Sequence, residues 1–481
     1  MTDLTDRLDV FREDAAALLG EKGFTDLADD LEPWLTDWRG RYSGRALGLA
    51  APASTQQVSE LVKLCARHGV PIVPQGGNSG MAGGATPDQS GEAIILSLRR
   101  MNTIRSLDPD AGQAVCEAGV ILQTFHDAAD TANMRFPLTL GGKGSATIGG
   151  LVSTNAGGTQ VLRHGTMRAQ VLGIEAVLAD GSVFDALTAL KKDNRGFDLK
   201  QVLIGSEGTL GIVTAATLRL LPAPRARATA WVGVPSITDA RALLRRVDRD
   251  LGDTLEGFEV VPAHCLDSVL DHLPDARSPL SQRHAWNALI ECVCVDGEDT
   301  DLRERLENAL AEAAEAELLA DAVIAANERQ AEDFWMLRDS ISAAERALGP
   351  AMQHDISVPV ERMPEFILAA SPAIEEAHPG TRAVAFGHLG DGNVHFHVLA
   401  PNGAVPGEWE EGQGKLISAQ VYDLVTQWGG SISAEHGIGQ MKVAELGRLG
   451  DPVALAMMRQ IKTALDPQGL LNPGKLVPPI G

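Results

Sequence analysis

The spacing of apolar positions changes character along this chain. From about Ala46 to Pro222, short apolar runs such as "VPIV" alternate with helical ones such as "SELVKLCARHG". Three glycine-rich turns interrupt them, "PQGGNSGMAGGATP", "TLGGKGSATIGGLVSTNAGG" and "LIGSEGTLGIVT". Strand-then-helix alternation predicts an α/β or α+β domain. Three glycine-rich turns in one segment predict a backbone that something else approaches closely. Beyond "LRLLPAPRARATA" the glycine thins and 3.6-residue amphipathic periods appear, over 237–252 and over 301–326, mixed with strands such as "AWNALIECVCV". That change places a boundary near residue 223. The segment "EDFWMLRDSISAAERALGPAMQHDISVP" reads as helix to about Leu348 and as strand afterwards, with Arg338 and Ser342 four apart on one helix face. The end of the chain reads as a glycine turn and a helix that stops before Asp466-Pro467. The expected organisation is α+β: a first domain over 1–222 whose core begins near 42, a second over 223–430, and a C-terminal helical return over 431–481 that completes the site.

Composition narrows the classes. The 481 residues carry 64 acidic and 41 basic side chains, a formal charge of -23, and no basic cluster able to grip phosphate backbones. Nucleic acid is excluded as a partner. No apolar run reaches the roughly 18 residues that a membrane span needs, and the acidic start lacks a leader pattern, so the expectation is a cytoplasmic protein. Cys65, Cys116, Cys265, Cys292 and Cys294 include no CxxC spacing, which argues against a disulfide framework and against a cysteine-bound metal.

Two places carry candidate chemistry. The first glycine turn exposes backbone N–H groups suited to a phosphate or pyrophosphate, although Gly76, Gly77, Gly80, Gly83 and Gly84 do not have the Rossmann spacing. The stretch "AFGHLGDGNVHFHV" gathers His388, His395 and His397, three of only twelve histidines. Asp391-Gly392 suits the centre of a two-residue type I′ turn, which would set His388 opposite His395 with Cβ atoms about 5 Å apart. Two imidazoles so placed suit one divalent ion such as zinc, and His397 shares their face. "SAEHGIG" offers Glu435 as a third ligand beside His436, a donor set that leaves positions open for a substrate. On the residues alone, hydrogen-bonded core histidines remain the other reading.

The three glycine turns together resemble the FAD-binding domain of the vanillyl-alcohol oxidase family, also called the p-cresol methylhydroxylase type, along most of residues 40–222. The resemblance implies a two-subdomain FAD-binding domain with an α+β cap domain. It implies FAD held by Pro74, Gly76, Gly77, Asn78, Ser79 and Gly80, and by Gly142, Ser145, Gly149, Gly150, Ser153, Asn155, Gly157 and Gly158, around the pyrophosphate and ribityl chain. Glu207, Gly208, Gly211, Ile212 and Val213 would lie toward the adenine, and Asn472 completes the set. Some members tether the flavin through a histidine in the first loop; Asn78 stands there, so the FAD is expected to be non-covalent.

"GHLGDGNVH", "AEHGIG" and "LDPQGLLNPGKL" are similar to the branch of that family that oxidises D-2-hydroxy acids. This implies His388, His395 and Glu435 as ligands of a divalent metal, zinc by ligand type, and His436 as the catalytic base. It also implies Arg338, Ser342, Asn393 and His397 at the substrate. Gln353 stands where the hydroxyglutarate enzymes usually have lysine, and His397 where they have asparagine. The expected activity is oxidation of a small anionic D-2-hydroxy acid, D-2-hydroxyglutarate ahead of D-lactate or glycolate, with electrons passed to an electron-transfer flavoprotein or a quinone-linked carrier. An oxidase using dioxygen and a non-catalytic flavin-binding subunit are the alternatives, and a homodimer is compatible with the resemblance.

Overall fold

The computed structural model describes residues 2–296 and 299–479, which form two compact units. One comprises 1–158, 165–222 and 435–481; the other comprises 159–164 and 223–434.

The first unit holds two larger sheets and a two-stranded one that pairs Met134–Arg135 with Leu221–Pro222. Strands Gly48–Ala50, Ile94–Ser97 and Ile72–Gln75 pair in parallel, with Phe24–Thr25 antiparallel at one edge. The helix Thr55–His68 links two of these strands. Its Ser54 cap accepts the Gln57 N–H, and Gly69 closes it at φ +60°. Its apolar stripe, Val58, Leu61, Val62 and Cys65, packs into a core with Ile72, Ile94 and Leu96. The second sheet is antiparallel and orders Ile104–Asp108, Gln113–Glu117, Ile212–Arg219, Val171–Val177 and Val183–Ala186. It packs its Cys116, Ile174 and Ala216 face on the helices Leu122–Thr131 and Ile148–Thr154. The C-terminal helix Pro452–Leu465 stops one residue before Asp466.

The second unit is one antiparallel sheet of seven strands in the order Asp321–Ile324, Ala226–Val234, Trp286–Cys294, Leu255–Pro262, Arg382–His388, Asn393–Leu399 and Ala351–Ser357. Helices Ala263–His272, Glu328–Asp339 and Ile341–Leu348 cover a face bearing Trp231, Val261, Leu289, Val384 and Phe386.

Three local expectations are corrected here. The amphipathic period over 301–326 is helical only to Glu315; Asp321–Ile324 is a strand paired with Ala230–Gly233, so the open sheet edge outweighs helix propensity. The helix expected to run to Leu348 is broken at Ser340, which caps both halves. The histidine hairpin has a four-residue loop, with His388 opposite Asn393 and Phe386 opposite His395. Leu389 cannot stay in the ladder because it is fully buried and donates its N–H to the Phe258 carbonyl, 3.1 Å away. Asp391 then takes the Asn393 N–H at 3.0 Å, and Gly392 turns the chain at φ +83°. The slip is by two positions, so both histidines keep the same face of the sheet.

Candidate active site

In the first unit the three glycine turns meet. A Cβ on Gly77 would lie 1.7 Å from the Ser145 carbonyl oxygen, and one on Gly76 would lie 2.4 Å from Thr147 Oγ1. Only glycine allows these two backbones to come so close. The third turn joins them, since Gly208 lies against Pro74 and the Glu207 N–H donates to the Ser153 carbonyl at 2.8 Å. Glu207 accepts the Ile438 and Gly439 N–H groups, each at 2.7 Å. Burial raises its pKa, against the pull of those two bonds and of Lys442. Asn78, at φ +51°, donates to the Thr36 carbonyl, and Gly142 lies against Ser79. Asn472 donates to the carbonyls of Gly84 and Glu207, while its Oδ1 is buried with no hydrogen-bond partner among the described residues.

Not every expected cofactor residue faces this convergence with its side chain. Asn155 Oδ1 is taken by Thr166 and the Arg168 N–H, and Gly149 packs on Ala118. Gly211 packs on Leu203, and Ile212 and Val213 lie in the two cores. These residues support the cradle and can offer it only backbone groups. Side-chain-free backbone from three turns, together with an unpaired buried amide oxygen, fits an extended dinucleotide. Gly157 and Gly158 close the same region: a Cβ on Gly157 would lie 2.8 Å from Glu435 Oε1, and one on Gly158 would lie 2.2 Å from the Thr139 carbonyl.

In the second unit one sheet face carries a polar array. Glu259 is opposite His388, His388 is opposite Asn393, and Asn393 is opposite Ser357. One repeat along, Phe386, His395 and Asp355 form the next row; Val384, His397 and Gln353 form the one after. His388 Nδ1 meets Glu259 Oε1 at 2.5 Å, and Arg338 donates to Glu259 Oε2 from Nε at 2.9 Å and from a terminal nitrogen at 2.7 Å. That terminal nitrogen also lies 3.3 Å from His388 Nε2 and 3.5 Å from His395 Nε2.

The electrostatics follow from burial. Glu259 is 1 % exposed; burial alone would raise its pKa, but Arg338 and His388 bring it down to about 2. Removal from water, then the Arg338 charge, hold His395 well below the ordinary imidazole value. Burial pushes the Asp391 carboxyl up, with His388 opposing. Two imidazole Nε2 atoms thus converge on a point already faced by a cationic nitrogen, with their ligand atoms within 4.8 Å of each other. Asn393 donates to Asp355 and the Ile356 carbonyl at 2.9 Å, and its buried Oδ1 has no hydrogen-bond partner among the described residues. This donor set fits a divalent cation.

The structure thus gathers His388, His395, Asn393 and Arg338. Arg338, bound to Glu259, lies in the helix Glu328–Asp339 and Ser342 in the next, Ile341–Leu348, so the two do not share one continuous helix. His397 turns its Nδ1 to Glu345 at 2.5 Å and sets its ring edge-on to Phe386. Glu435 and His436 belong to the first unit; Glu435 directly follows Ala434, whose N–H donates to the Asp355 carbonyl at 3.3 Å. Sequence reasoning missed Glu259, Asp355 and Glu345. A signal existed for Glu259: an acid inside the apolar strand "FEVVP" must have a partner.

Known proteins resemble this chain in sequence and in fold. Residues 46–186 match the FAD binding domain profile, and residues 223–476 match that of FAD linked oxidases, C-terminal domain. A mitochondrial D-2-hydroxyglutarate dehydrogenase of Arabidopsis thaliana is 39% identical over 96% of this chain and 80% of its own length. The mitochondrial protein of that name from Rattus norvegicus is 36% identical over 98% of this chain and 85% of its own. Among solved structures, p-cresol methylhydroxylase with substrate bound superposes with a TM-score of 0.74 at 16% identity, over 98% of this chain and 97% of that one. A 4-ethylphenol oxidase from Gulosibacter chungangensis gives 0.73 at 17% identity, over 98% of both chains. These two likenesses establish the vanillyl-alcohol oxidase type of fold. The relatives' mitochondrial names overturn the cytoplasmic expectation. No helix among the described residues is long and apolar enough to cross a membrane. With both profiles matched and the identity running along nearly its whole length, the chain belongs to the FAD-linked oxidase family and is an FAD-dependent dehydrogenase.

Proposed function

We propose that the chain oxidises D-2-hydroxyglutarate to its 2-oxo acid, with His388, His395 and Glu435 holding a divalent ion, zinc by ligand type. The observation that carries this reading is the convergence of His388 Nε2, His395 Nε2 and the Arg338 guanidinium on one sheet face. The names of the Arabidopsis and rat relatives supply the substrate. Bound FAD supplies the hydride acceptor, and the ion supplies charge that lowers the pKa of the substrate hydroxyl. Glu259 fixes His388 through Nδ1, which leaves Nε2 for the ion. His436 accepts the hydroxyl proton as the α-hydrogen leaves as hydride. Arg338 and Ser342 receive substrate carboxylate, and Asn393 offers its unpaired Oδ1 to the substrate hydroxyl or the ion. Two electrons then pass to a second acceptor, an electron-transfer flavoprotein or a quinone-linked carrier. D-lactate is the second reading, favoured by Gln353 standing opposite His397 where a lysine would serve a second carboxylate.

The test is anaerobic bleaching of the flavin absorbance with D-2-hydroxyglutarate, D-lactate, D-malate and their L-isomers, before and after chelation. Chelator-sensitive bleaching by D-2-hydroxyglutarate is expected. Bleaching by D-lactate alone transfers the assignment to it. No bleaching of a flavin-loaded, metal-replete sample refutes the activity, and bleaching indifferent to chelation refutes the metal. Glu435→Ala should keep its flavin and lose turnover.

A further inference from the structure

Residues 159–164 lie in sequence between two segments of the first unit, yet they pack as part of the second. Three side chains of this short stretch converge on one carboxylate. Gln160 Nε2 reaches Glu256 at 3.0 Å, Arg163 at 3.4 Å and His164 Nε2 at 3.2 Å. Glu256 is 1 % exposed, and Arg163 also donates to the Val293 carbonyl at 3.1 Å. An acid buried this deeply is costly unless it is paired, so the stretch and Glu256 hold each other in place. Between these anchors, Leu162 covers the histidine hairpin: a Cβ on Gly390 would lie 2.7 Å from Leu162 Cδ1. Gly390 is two residues after His388 and three before Asn393. Just before the stretch, Gly157 lies against Glu435, where a Cβ would come within 2.8 Å of Oε1.

We propose that residues 159–164 are a strap that sets the His388 hairpin, covering it at Leu162, with Glu256 as its anchor. Leu162 and Glu256 are positioning residues: they act through the hairpin and touch no reacting atom. The proposal rests on the metal reading given above. It predicts that the hairpin loses its set when the Leu162–Gly390 contact is loosened or overfilled, and regains it when the lost volume is returned from the other side.

The test exchanges volume across that contact. Leu162→Ala removes the cover, Gly390→Ala adds a methyl beneath it, and the double variant does both. Gly390 is not in the left-handed region, so alanine there tests space alone. The flavin-loaded protein is assayed for dye-linked turnover of D-2-hydroxyglutarate, flavin content, thermal midpoint and hydrogen exchange of the 385–398 peptides. Each single variant should lose about tenfold in kcat, the scale of coupling between residues in contact, and exchange 385–398 faster, at near-native flavin content and midpoint. The double variant should recover most of both. Additive losses overturn the proposal, as does turnover that falls only in step with flavin content or midpoint. If the parent protein shows no chelator-sensitive turnover, the metal reading fails by itself. Exchange of 385–398 then decides the strap: recovery in the double variant supports it and additivity refutes it.

Discussion

Glu259→Gln removes the charge at the centre of the polar array while keeping its shape. In the folded chain Glu259 titrates at about 2 against an ordinary 4.5, because Arg338 and His388 outweigh a burial that would raise it. At about 1.4 kcal/mol per unit, that difference is worth about 3 kcal/mol. This agrees with the roughly 3–5 kcal/mol lost when one member of a buried pair is removed. The sign follows from the lowered value: the stabilisation is fully present above the unfolded pKa of 4.5 and is lost as pH falls toward 2. A divalent cation on His388 would lower the carboxyl further and leave the direction unchanged. Urea unfolding of wild type and variant, followed by tryptophan fluorescence from pH 7 down to pH 3, should show a large gap at neutral pH that narrows in acid. A gap independent of pH would refute the reasoning, because it would place the cost in packing rather than in charge. The same variant should weaken metal binding by about 10–100-fold, the usual effect of removing the partner that orients a ligating histidine.

Gly77→Ala should prevent flavin loading, since its Cβ would sit 1.7 Å from a backbone oxygen, whereas Gly412→Ala in the second unit, with nothing within 4 Å, should load normally; the flavin-to-protein absorbance ratio separates them. Trp335→Phe removes the 2.8 Å bond from Nε1 to buried Glu291 and should cost about 1–2 kcal/mol in urea unfolding. Burial already raises Glu291, and Trp335 is one of the groups that lower it, so the deficit should be larger at pH 7 than at pH 4; a deficit that shrinks as pH rises would contradict this.

The histidine hairpin shows what the sequence could and could not specify. The alternation of His395 and His397 with Val394, Phe396 and Val398 fixed which face the imidazoles share, because strand period is a local property. The register was set elsewhere, by burial of Leu389 and its bond to Phe258. The break at Ser340 has a similar origin: Arg338 is held by Glu259 from a strand about eighty positions earlier in the chain. Glycine spacing disclosed that three turns approach something, but contacts such as Gly77 on Ser145 and Gly208 on Pro74 join segments distant in sequence.

By itself the sequence determined the α+β class, the glycine turns, the helix that ends at Leu465, and the side chains capable of metal and proton chemistry. These depend on periodicity, turn residues and functional groups, all readable within a short window. Only the tertiary structure decided that Glu259 supports both Arg338 and His388, that Glu345 holds His397, and that residues 159–164 leave one unit to pack in the other. Each of those arrangements pairs a buried charge or fills a buried space across a long loop, and what a buried group requires is known only once its partners have folded around it.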